Sequence, residues 1–279
     1  MSETNVLQKI ASSTRQRVDR LKKETPLGNL KARVAGAEKP LDFALALQGP
    51  GIKLIAEIKR ASPSKGPLNP DLDARELAGS YARGGAAAIS VVTEPTFFKG
   101  NIQDMAKAKA AAGLPVLRKD FLLEEYQVYE SRAYGADAVL LIAALHEVPA
   151  LRSLMVLARD LGMSILTEVH NKQEVEKALA AGATLMGINN RNLEDFSIDL
   201  NTTLRLKALI PPEIPVVSES GILTPRDLAL LQSAGVKAVL IGEALVTSPD
   251  PERKVRELLG TPAVIARHAV PKQSVDGWR

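Results

Sequence analysis

The chain of 279 residues has 46% hydrophobic and 24% charged residues, a composition typical of a globular protein. It contains no cysteine, which excludes disulfides, thiolate metal sites and a cysteine nucleophile. The longest apolar run, residues 138–145, is far shorter than the ~20 residues that span a bilayer, so no membrane association is expected. The N-terminal segment lacks the apolar core of a signal peptide and is not acid-poor like a transit peptide. We therefore expect a cytoplasmic protein.

Positive charge is concentrated at the N-terminus. The formal net charge is +4, but residues 1–40 carry nine Lys/Arg and four Asp/Glu, a net of +5, so residues 41–279 carry −1. Only 4% of the residues are aromatic, too few for a platform on which single-stranded nucleic acid could stack. The basic segment is interpreted as a solvated helix, and no nucleic-acid partner is expected.

Eight short apolar runs rich in β-branched residues follow in chain order. They predict strands at 52–58, 87–92, 114–119, 137–143, 163–169, 184–189, 214–219 and 237–242. The stretches between them are polar with helically spaced alanines and leucines, as in 101–113 and 171–183. Asn171 and Thr224 are expected N-caps, and Pro225 fits a first helical turn, where its missing N–H costs nothing.

This alternation predicts a parallel sheet covered by helices, because the strands are apolar on both faces. Eight units favour a single (β/α)8 barrel, with an open doubly wound sheet as the alternative. No glycine-rich dinucleotide fingerprint follows the first strand, which disfavours the open sheet. Apolar residues on one stripe of 5–24 predict a helix over one barrel end. We thus expect an α/β protein with an N-terminal helical extension (1–48), a catalytic barrel (49–259) and a tail (260–279) that contains Trp278.

Polar side chains stand where the predicted strands end. In such barrels the C-terminal strand ends converge on one mouth, where the chemistry takes place. From the first strand to the eighth these residues are Glu57, Lys59, Lys119, Glu168, Asn189, Arg191, Glu219, Ser220, Gly221, Gly242 and Glu243. Carboxylates and lysines this close together shift one another's pKa values, which prepares a general acid and a general base. The pattern predicts acid–base catalysis at the mouth.

The turns after strands seven and eight predict a phosphate site. Gly221 and Gly242 each stand where a strand turns toward a helix, which lets backbone N–H groups point at an anion. Arg191 can add a nearby positive charge. His146 and His170 lack partners at metal-ligand spacing, so loop or capping roles are expected for both and no metal site is predicted.

The chain resembles the indole-3-glycerol phosphate synthases of tryptophan biosynthesis over roughly residues 45–258. The motifs that carry the resemblance are AEIKRASPSKG, TEPTFFKG, LRKDF, LLIAA, LTEVH, GINNRNL, SESGI and LIGEAL, in that order, and the first is the most specific. The resemblance implies a cofactor-free ring closure of an anthranilate joined through nitrogen to a deoxyribulose 5-phosphate, with loss of carbon dioxide and water. One departure is visible: Ala244 and Val246 stand where a serine and a methionine are expected.

The resemblance also implies roles for individual residues. Lys119 is the general acid at the ketone and Glu168 the base in the later elimination, while Lys59 pairs with the substrate carboxylate. Glu57 and Glu219 orient lysines and sugar hydroxyls, and Asn189 donates a hydrogen bond near the reacting centre. The remaining residues implied are Ser62 in a loop that closes over the ligand, Phe98, Phe121, Leu140 and Leu193 around the anthranilate ring, and Ser220, Gly221, Gly242 and Glu243 at the phosphate with Arg191 nearby.

Three other functions are weighed against this one. A Schiff-base aldolase could use Lys119 or Lys59, but the carboxylates nearby disfavour a neutral nucleophilic amine. A catalytically dead barrel would be expected to have lost some of the charged residues, and all of them are present. A phosphoribosylanthranilate isomerase is disfavoured because that family uses a cysteine. The division of acid and base work among Lys59, Lys119 and Glu168 stays open, and a monomer is expected.

Overall fold

A computed structural model describes residues 6–192 and 195–260 of the chain. Its centre is a closed barrel of eight parallel strands: β1 (Lys53–Ile58), β2 (Ala88–Val92), β3 (Val116–Lys119), β4 (Ala138–Ile142), β5 (Ser164–Val169), β6 (Met186–Asn189), β7 (Val216–Glu219) and β8 (Ala238–Ile241). Each strand pairs with its neighbours in sequence, and Lys53 of β1 lies opposite Ala238 of β8, which closes the barrel. The eight predicted strands are confirmed, each one or two residues shorter than predicted, and the open-sheet alternative is wrong.

Helices precede the barrel and connect its strands. They are α1 (Val6–Glu24), α2 (Leu27–Ala35), α3 (Phe43–Ala46), α4 (Ala74–Gly84), α5 (Asp104–Ala112), α6 (Glu125–Ala133), α7 (Val148–Asp160), α8 (Lys172–Ala181), α9 (Asn201–Lys207), α10 (Pro225–Ser233), α11 (Glu243–Val246) and α12 (Pro251–Leu258). A 3-10 turn spans Ala143–Leu145, and a short antiparallel hairpin joins Ala61–Ser62 to Gly66–Pro67. None of the helices in the described part is long and apolar enough to cross a membrane.

The predicted helix caps are confirmed. Asn171 accepts a hydrogen bond from the backbone N–H of Glu174 at the start of α8. Thr224 and Asp227 form a reciprocal capping box at the start of α10, with Pro225 in the first turn. These contacts satisfy N–H groups that a helix start leaves without an intrahelical partner. They fix where each helix begins relative to the strand before it.

The N-terminal extension contacts both ends of the barrel. Phe43 of α3 is fully buried against the barrel interior, and the backbone N–H of Ala44 donates to Ser164 Oγ (3.3 Å) at the start of β5. At the opposite end, α1 lies against α6, where the Tyr126 hydroxyl donates to the backbone oxygen of Leu21 (3.1 Å). The extension therefore closes the N-terminal end and borders the mouth. Residues 261–279, with Trp278, lie outside the described residues, so the predicted segment boundaries stay a prediction.

The strands divide their side chains between two cores. Ile55 and Leu117 belong to a cluster inside the barrel, whereas Leu54 and Ile58 pack in the layer between strands and helices. This follows from the period of two along a strand. The rows that point inward are apolar at the N-terminal end and become polar toward the mouth. They end in the charged residues of the candidate site.

Candidate active site

The mouth of the barrel holds a cavity of about 240 Å³. Every residue that the sequence placed in the site lines it except Leu193, which lies outside the described residues. They are Glu57, Lys59, Ser62, Phe98, Lys119, Phe121, Leu140, Glu168, Asn189, Arg191, Glu219, Ser220, Gly221, Gly242 and Glu243. Their shared location comes from the strand ends, which bring residues distant in sequence to one place.

Lys119 stands at the centre of the charged groups. Its Nζ donates a hydrogen bond to Glu168 Oε2 (2.9 Å) and lies 3.3 Å from Glu219 Oε2. Both carboxylates are almost completely buried, with 3% and 2% of their side chains exposed. Burial alone would lower the pKa of Lys119, but Glu168, Glu219 and Glu57 raise it well above its usual value. The residue is therefore an ammonium group and carries the proton that a general acid needs.

The two carboxyl groups beside Lys119 differ in their protonation. Burial alone would raise the pKa of Glu168, but Lys119 and His170 hold it far below its usual range, so Glu168 is ionised. Burial raises the pKa of Glu219, Lys119 lowers it, and the repulsion of Glu168 and Glu57 adds to the effect of burial, which leaves this pKa at about 8. Two like groups with pKa values driven apart are the arrangement from which acid and base roles are assigned. In the described structure neither oxygen of Glu219 has a hydrogen-bond partner.

Glu57 and Lys59 form a second pair, with Lys59 Nζ 2.6 Å from Glu57 Oε1. A glycine makes room for this pair, because a Cβ at Gly242 would collide with Glu57 Oε1 and come within 3.2 Å of Lys59 Nζ. Gly187 does the same for Glu219, whose Oε1 occupies the space of its missing side chain. From the sequence, Gly242 was assigned only to the turn that binds phosphate, and Gly187 was not singled out.

An apolar wall borders the charged groups. The rings of Phe98 and Phe121 lie with centroids 6.0 Å apart at 37° to each other. Buried carboxylates hold both backbones: Glu94 accepts from the N–H of Phe98 (3.0 Å) and Asp120 from that of Phe121 (2.8 Å). Leu140 of β4 adds to the wall, and Val6 and Ile10 of α1 also line the cavity. The contribution of α1 was not predicted, since the stripe on the helix shows a buried face but not its partner.

Ser220 and Gly221 form a turn on the other side of the cavity. Both have left-handed backbone angles, with φ of 68° and 78°, a conformation that is uncommon outside glycine. Asn189 accepts from the backbone N–H of Arg191 (3.1 Å), whose Nη1 lies 3.4 Å from Ser64 Oγ. Glu243 contacts Lys65 of the same loop as Ser64. The loop after β1, which also carries Ser62, therefore already reaches across the mouth to the ends of β6 and β8.

A buried ionic network supports Lys119 from behind. The neighbouring Asp120 binds Arg17 of α1 through both oxygens (2.9 and 3.0 Å) and Arg118 (3.0 Å). Thr93 donates to the same carboxylate at 2.8 Å. Burial alone would raise the pKa of Asp120, but the two arginines hold it near 2. The N-terminal extension is thereby tied to the residue next to Lys119, a connection that no sequence motif showed.

The two histidines that the sequence assigned to loops or caps have different surroundings. His146 is buried and its Nε2 contacts the backbone oxygen of Leu122 (2.9 Å), consistent with a loop role. His170 does contact Glu174 of α8, but its Nε2 also lies 3.3 Å from Glu168 Oε1. The expectation of a capping role alone was therefore incomplete. Among the described residues, no group of three His, Asp or Glu side chains could hold a metal ion.

The comparisons with known proteins agree with this geometry. Residues 7–258 match the family model described as indole-3-glycerol phosphate synthase. The indole-3-glycerol phosphate synthase of Dehalococcoides mccartyi is 48% identical over 258 residues, which cover 91% of this chain and 100% of that protein. That of Roseiflexus castenholzii is 49% identical over 264 residues, covering 91% and 98%.

Solved structures show the fold alone. A 3-hexulose-6-phosphate synthase superposes with a TM-score of 0.60 at 18% identity, covering 75% of this chain and 99% of its own. A native KDPGal structure superposes with a TM-score of 0.56 at 19% identity, covering 76% and 95%. The family model and the sequence relatives identify the family: the chain belongs to the indole-3-glycerol phosphate synthases.

Proposed function

We propose that this protein is a decarboxylating lyase that closes the indole ring of 1-(2-carboxyphenylamino)-1-deoxy-D-ribulose 5-phosphate, with loss of carbon dioxide and water. The observation that carries the proposal is Lys119, held as an ammonium group between Glu168 and Glu219 at the base of the cavity. Family membership supplies the substrate, and the cavity supplies a place for each of its parts. The resemblance implies no cofactor, which stays a prediction.

The substrate fits the division of the cavity into three regions. The anthranilate ring lies against Phe98, Phe121 and Leu140, and its carboxylate faces Lys59. The phosphate rests on the turn of Ser220 and Gly221. The ketone of the sugar then lies between these two anchors, where Lys119 stands. Fixing both ends of the substrate brings the ring carbon and the ketone carbon together without further loss of freedom.

The reaction follows from the protonation states. The ring carbon that bears the carboxylate attacks the ketone carbon, and the ketone oxygen takes a proton from Lys119. The bond to the carboxylate breaks, its electron pair returns to the ring, and carbon dioxide leaves. The new hydroxyl then leaves as water with a proton from Lys59, and Glu168 accepts the proton whose loss completes the indole. Such positioned proton transfers contribute ~10²–10⁴-fold each.

The phosphate is also proposed to contact the backbone of Gly242 and Glu243, with Arg191 nearby. Glu243 is a carboxylate and disfavours an anion unless a cation neutralises it; Lys65 is in contact with it and supplies that charge. Asn189 accepts a hydrogen bond from the backbone N–H of Arg191, which supports a role for Asn189 in placing the Arg191 side chain. Ser62 belongs to the same loop and is proposed to order over the bound substrate.

The experiment is the appearance of indole fluorescence when the purified protein meets the carboxyphenylamino-deoxyribulose phosphate. We expect Lys119→Ala to lose nearly all activity while its circular dichroism is unchanged. Lys53→Ala is the matched control, since Lys53 starts β1 at the opposite end of the barrel and its Nζ donates to the backbone oxygen of Pro50 (3.0 Å). No product from a folded wild-type protein would refute the proposal.

The same assay separates the Schiff-base alternative. An amine nucleophile must be neutral, whereas the carboxylates around Lys119 raise its pKa and keep it charged. Borohydride with a keto-sugar phosphate is expected to trap no adduct on this lysine.

Location and assembly are proposed on more general grounds. We propose that the enzyme works in the cytoplasm, the compartment expected from the sequence. We further propose that it is a monomer, and that it binds no nucleic acid because the charge outside residues 1–40 is close to neutral. Light scattering and an ionic-strength series with DNA test these two points.

A further inference from the structure

His170 lies directly behind Glu168, on the side away from Lys119. Its Nε2 is 3.3 Å from Glu168 Oε1, an ion-pair distance without the alignment of a hydrogen bond. Its Nδ1 is 2.9 Å from Glu174 Oε2, which also accepts from the backbone N–H of His170 at 2.9 Å. The side chain is 9% exposed. A histidine in this position contacts no part of the cavity itself but touches the residue proposed as the base.

Both ring nitrogens face carboxylates, which determines the charge of the ring. A neutral imidazole has one nitrogen without a proton, and that nitrogen would point its lone pair at an anion. Burial alone would lower the pKa of His170, but Glu168 and Glu174 raise it to about 10. The ring is therefore an imidazolium at neutral pH, and it bridges two carboxylates.

The start of α8 fixes this ring. Glu174 lies in the first turn, where its charge is favoured by the helix dipole. Glu174 Oε1 accepts a hydrogen bond from Asn171 Nδ2 (2.7 Å), and the backbone N–H of Glu174 donates to Asn171 Oδ1 (3.0 Å). Three contacts thus hold the Glu174 carboxylate and a fourth holds its backbone, and together they fix the orientation of His170.

The charged groups form one row across the mouth. Those that face His170 are Glu168 of β5 and Glu174 of α8, and the row continues through Lys119 of β3 to Glu219 of β7 and Glu57 of β1. Lys119 is the member that gives up its proton in the proposed reaction. At that moment Glu168 loses the charge of its nearer cation, and only His170 remains to keep it ionised.

We propose that His170 is a positioning residue, a fixed imidazolium that keeps Glu168 ionised and oriented while Lys119 transfers its proton. The inference rests on the proposed function for the identity of the reaction. It assigns His170 no contact with the substrate and no proton to transfer. Glu174 acts indirectly, because it fixes the orientation of the His170 ring.

The first test measures the imidazolium directly and needs no activity. The chain has only three histidines, so ¹³C or ¹⁵N labelling of histidine followed by a pH titration gives a simple spectrum. We expect one histidine to stay protonated through pH 8, and its signals to vanish in His170→Gln. If all three histidines lose their protons by about pH 7, the usual range for histidine, the proposal is overturned.

The second test measures the kinetics of His170→Gln and His170→Lys against the wild type. The glutamine keeps a hydrogen-bond donor but no charge, so we expect kcat to fall about ten- to a hundredfold, less than removal of a general base, with KM little changed. The acid limb of the kcat profile should move up by about one pH unit, because Glu168 loses a cation and takes up a proton more readily. Lysine restores the charge and should restore the profile in part.

His146→Gln is the matched control, since this histidine is buried but contacts only the backbone oxygen of Leu122 among the contacts described for its ring. It should leave the acid limb in place even if it lowers stability. If both His170 variants lose activity equally with an unmoved profile, His170 has only a structural role. An inactive wild type would overturn the proposed function instead, while the titration would still show whether His170 is charged.

Discussion

Replacing Lys119 by methionine tests the electrostatics of the mouth more sharply than any loss of activity. Methionine keeps the length and the apolar stem of lysine but removes the charge. In the wild type the ammonium group is the cation shared by Glu168 and Glu219, which are almost fully buried. Removal of one partner of a buried pair leaves an uncompensated charge, which costs ~3–5 kcal/mol. We expect a loss of that size at pH 8.

This loss of unfolding free energy in Lys119→Met should become smaller as the pH falls. The direction of the change follows from the pKa shifts. In the wild type the depressed pKa of Glu168 contributes stability above its unfolded value of about 4.5, and this contribution is lost at lower pH. In the variant both the charge and the hydrogen bond of Lys119 are gone, so burial outweighs the remaining cation His170 and the pKa of Glu168 rises above its unfolded value. The folded variant then binds a proton that the unfolded chain does not, and its stability falls as the pH rises. Each pKa unit is worth about 1.4 kcal/mol.

The assay is urea unfolding of wild type and Lys119→Met at pH 5, 6, 7 and 8. The difference in unfolding free energy between wild type and variant should grow by roughly 2–4 kcal/mol from pH 5 to pH 8. This corresponds to a pKa of Glu168 in the folded variant about two to three units above its unfolded value. Lys53→Met provides the control, with a small and constant difference. A large difference that does not vary with pH would show that Lys119 stabilises through packing, and the reasoning about coupled carboxylates would be refuted.

Two further predictions follow from the contacts. Gly187→Ala places a methyl group in the space of Glu219 Oε1, so kcat should fall at least tenfold, whereas Gly28→Ala, which meets no atom within 4 Å, should leave activity unchanged. Arg17→Met removes one of the two cations on Asp120, so urea unfolding at pH 7 should show a loss of about 2 kcal/mol, smaller than for a fully unpaired charge because Arg118 remains.

The barrel could be predicted because its determinants are local. Each strand is a short apolar run, and each cap, such as Asn171 or Thr224, is a residue whose side chain acts within four positions. The four-residue helix α3 and the hairpin after β1 were missed because they are too short to show a period. Their positions depend on contacts with distant strands, such as that of Ala44 with Ser164.

The site divides in the same way. Glu57, Lys119 and Glu168 could be placed at the mouth because strand direction alone determines which ends converge. The contacts of Arg17 with Asp120 and of His170 with Glu168 could not, since the first joins residues 103 positions apart and the second depends on how a loop turns. Gly187 is a third case, because a missing side chain leaves no signal until the atom that fills its space is known.

The supporting contacts share one physical purpose. Inside the mouth, Lys59, Lys119 and His170 lie against Glu57, Glu168 and Glu219, so each cation faces a carboxyl group before any substrate arrives. A substrate with a carboxylate and a phosphate adds negative charge, which favours release of Lys59 from Glu57 and further protonation of Glu219. Groups fixed in advance need no reorganisation as charge develops, and this makes them effective in catalysis. His170 is therefore the fixed cation that still faces Glu168 once Lys119 has given its proton away.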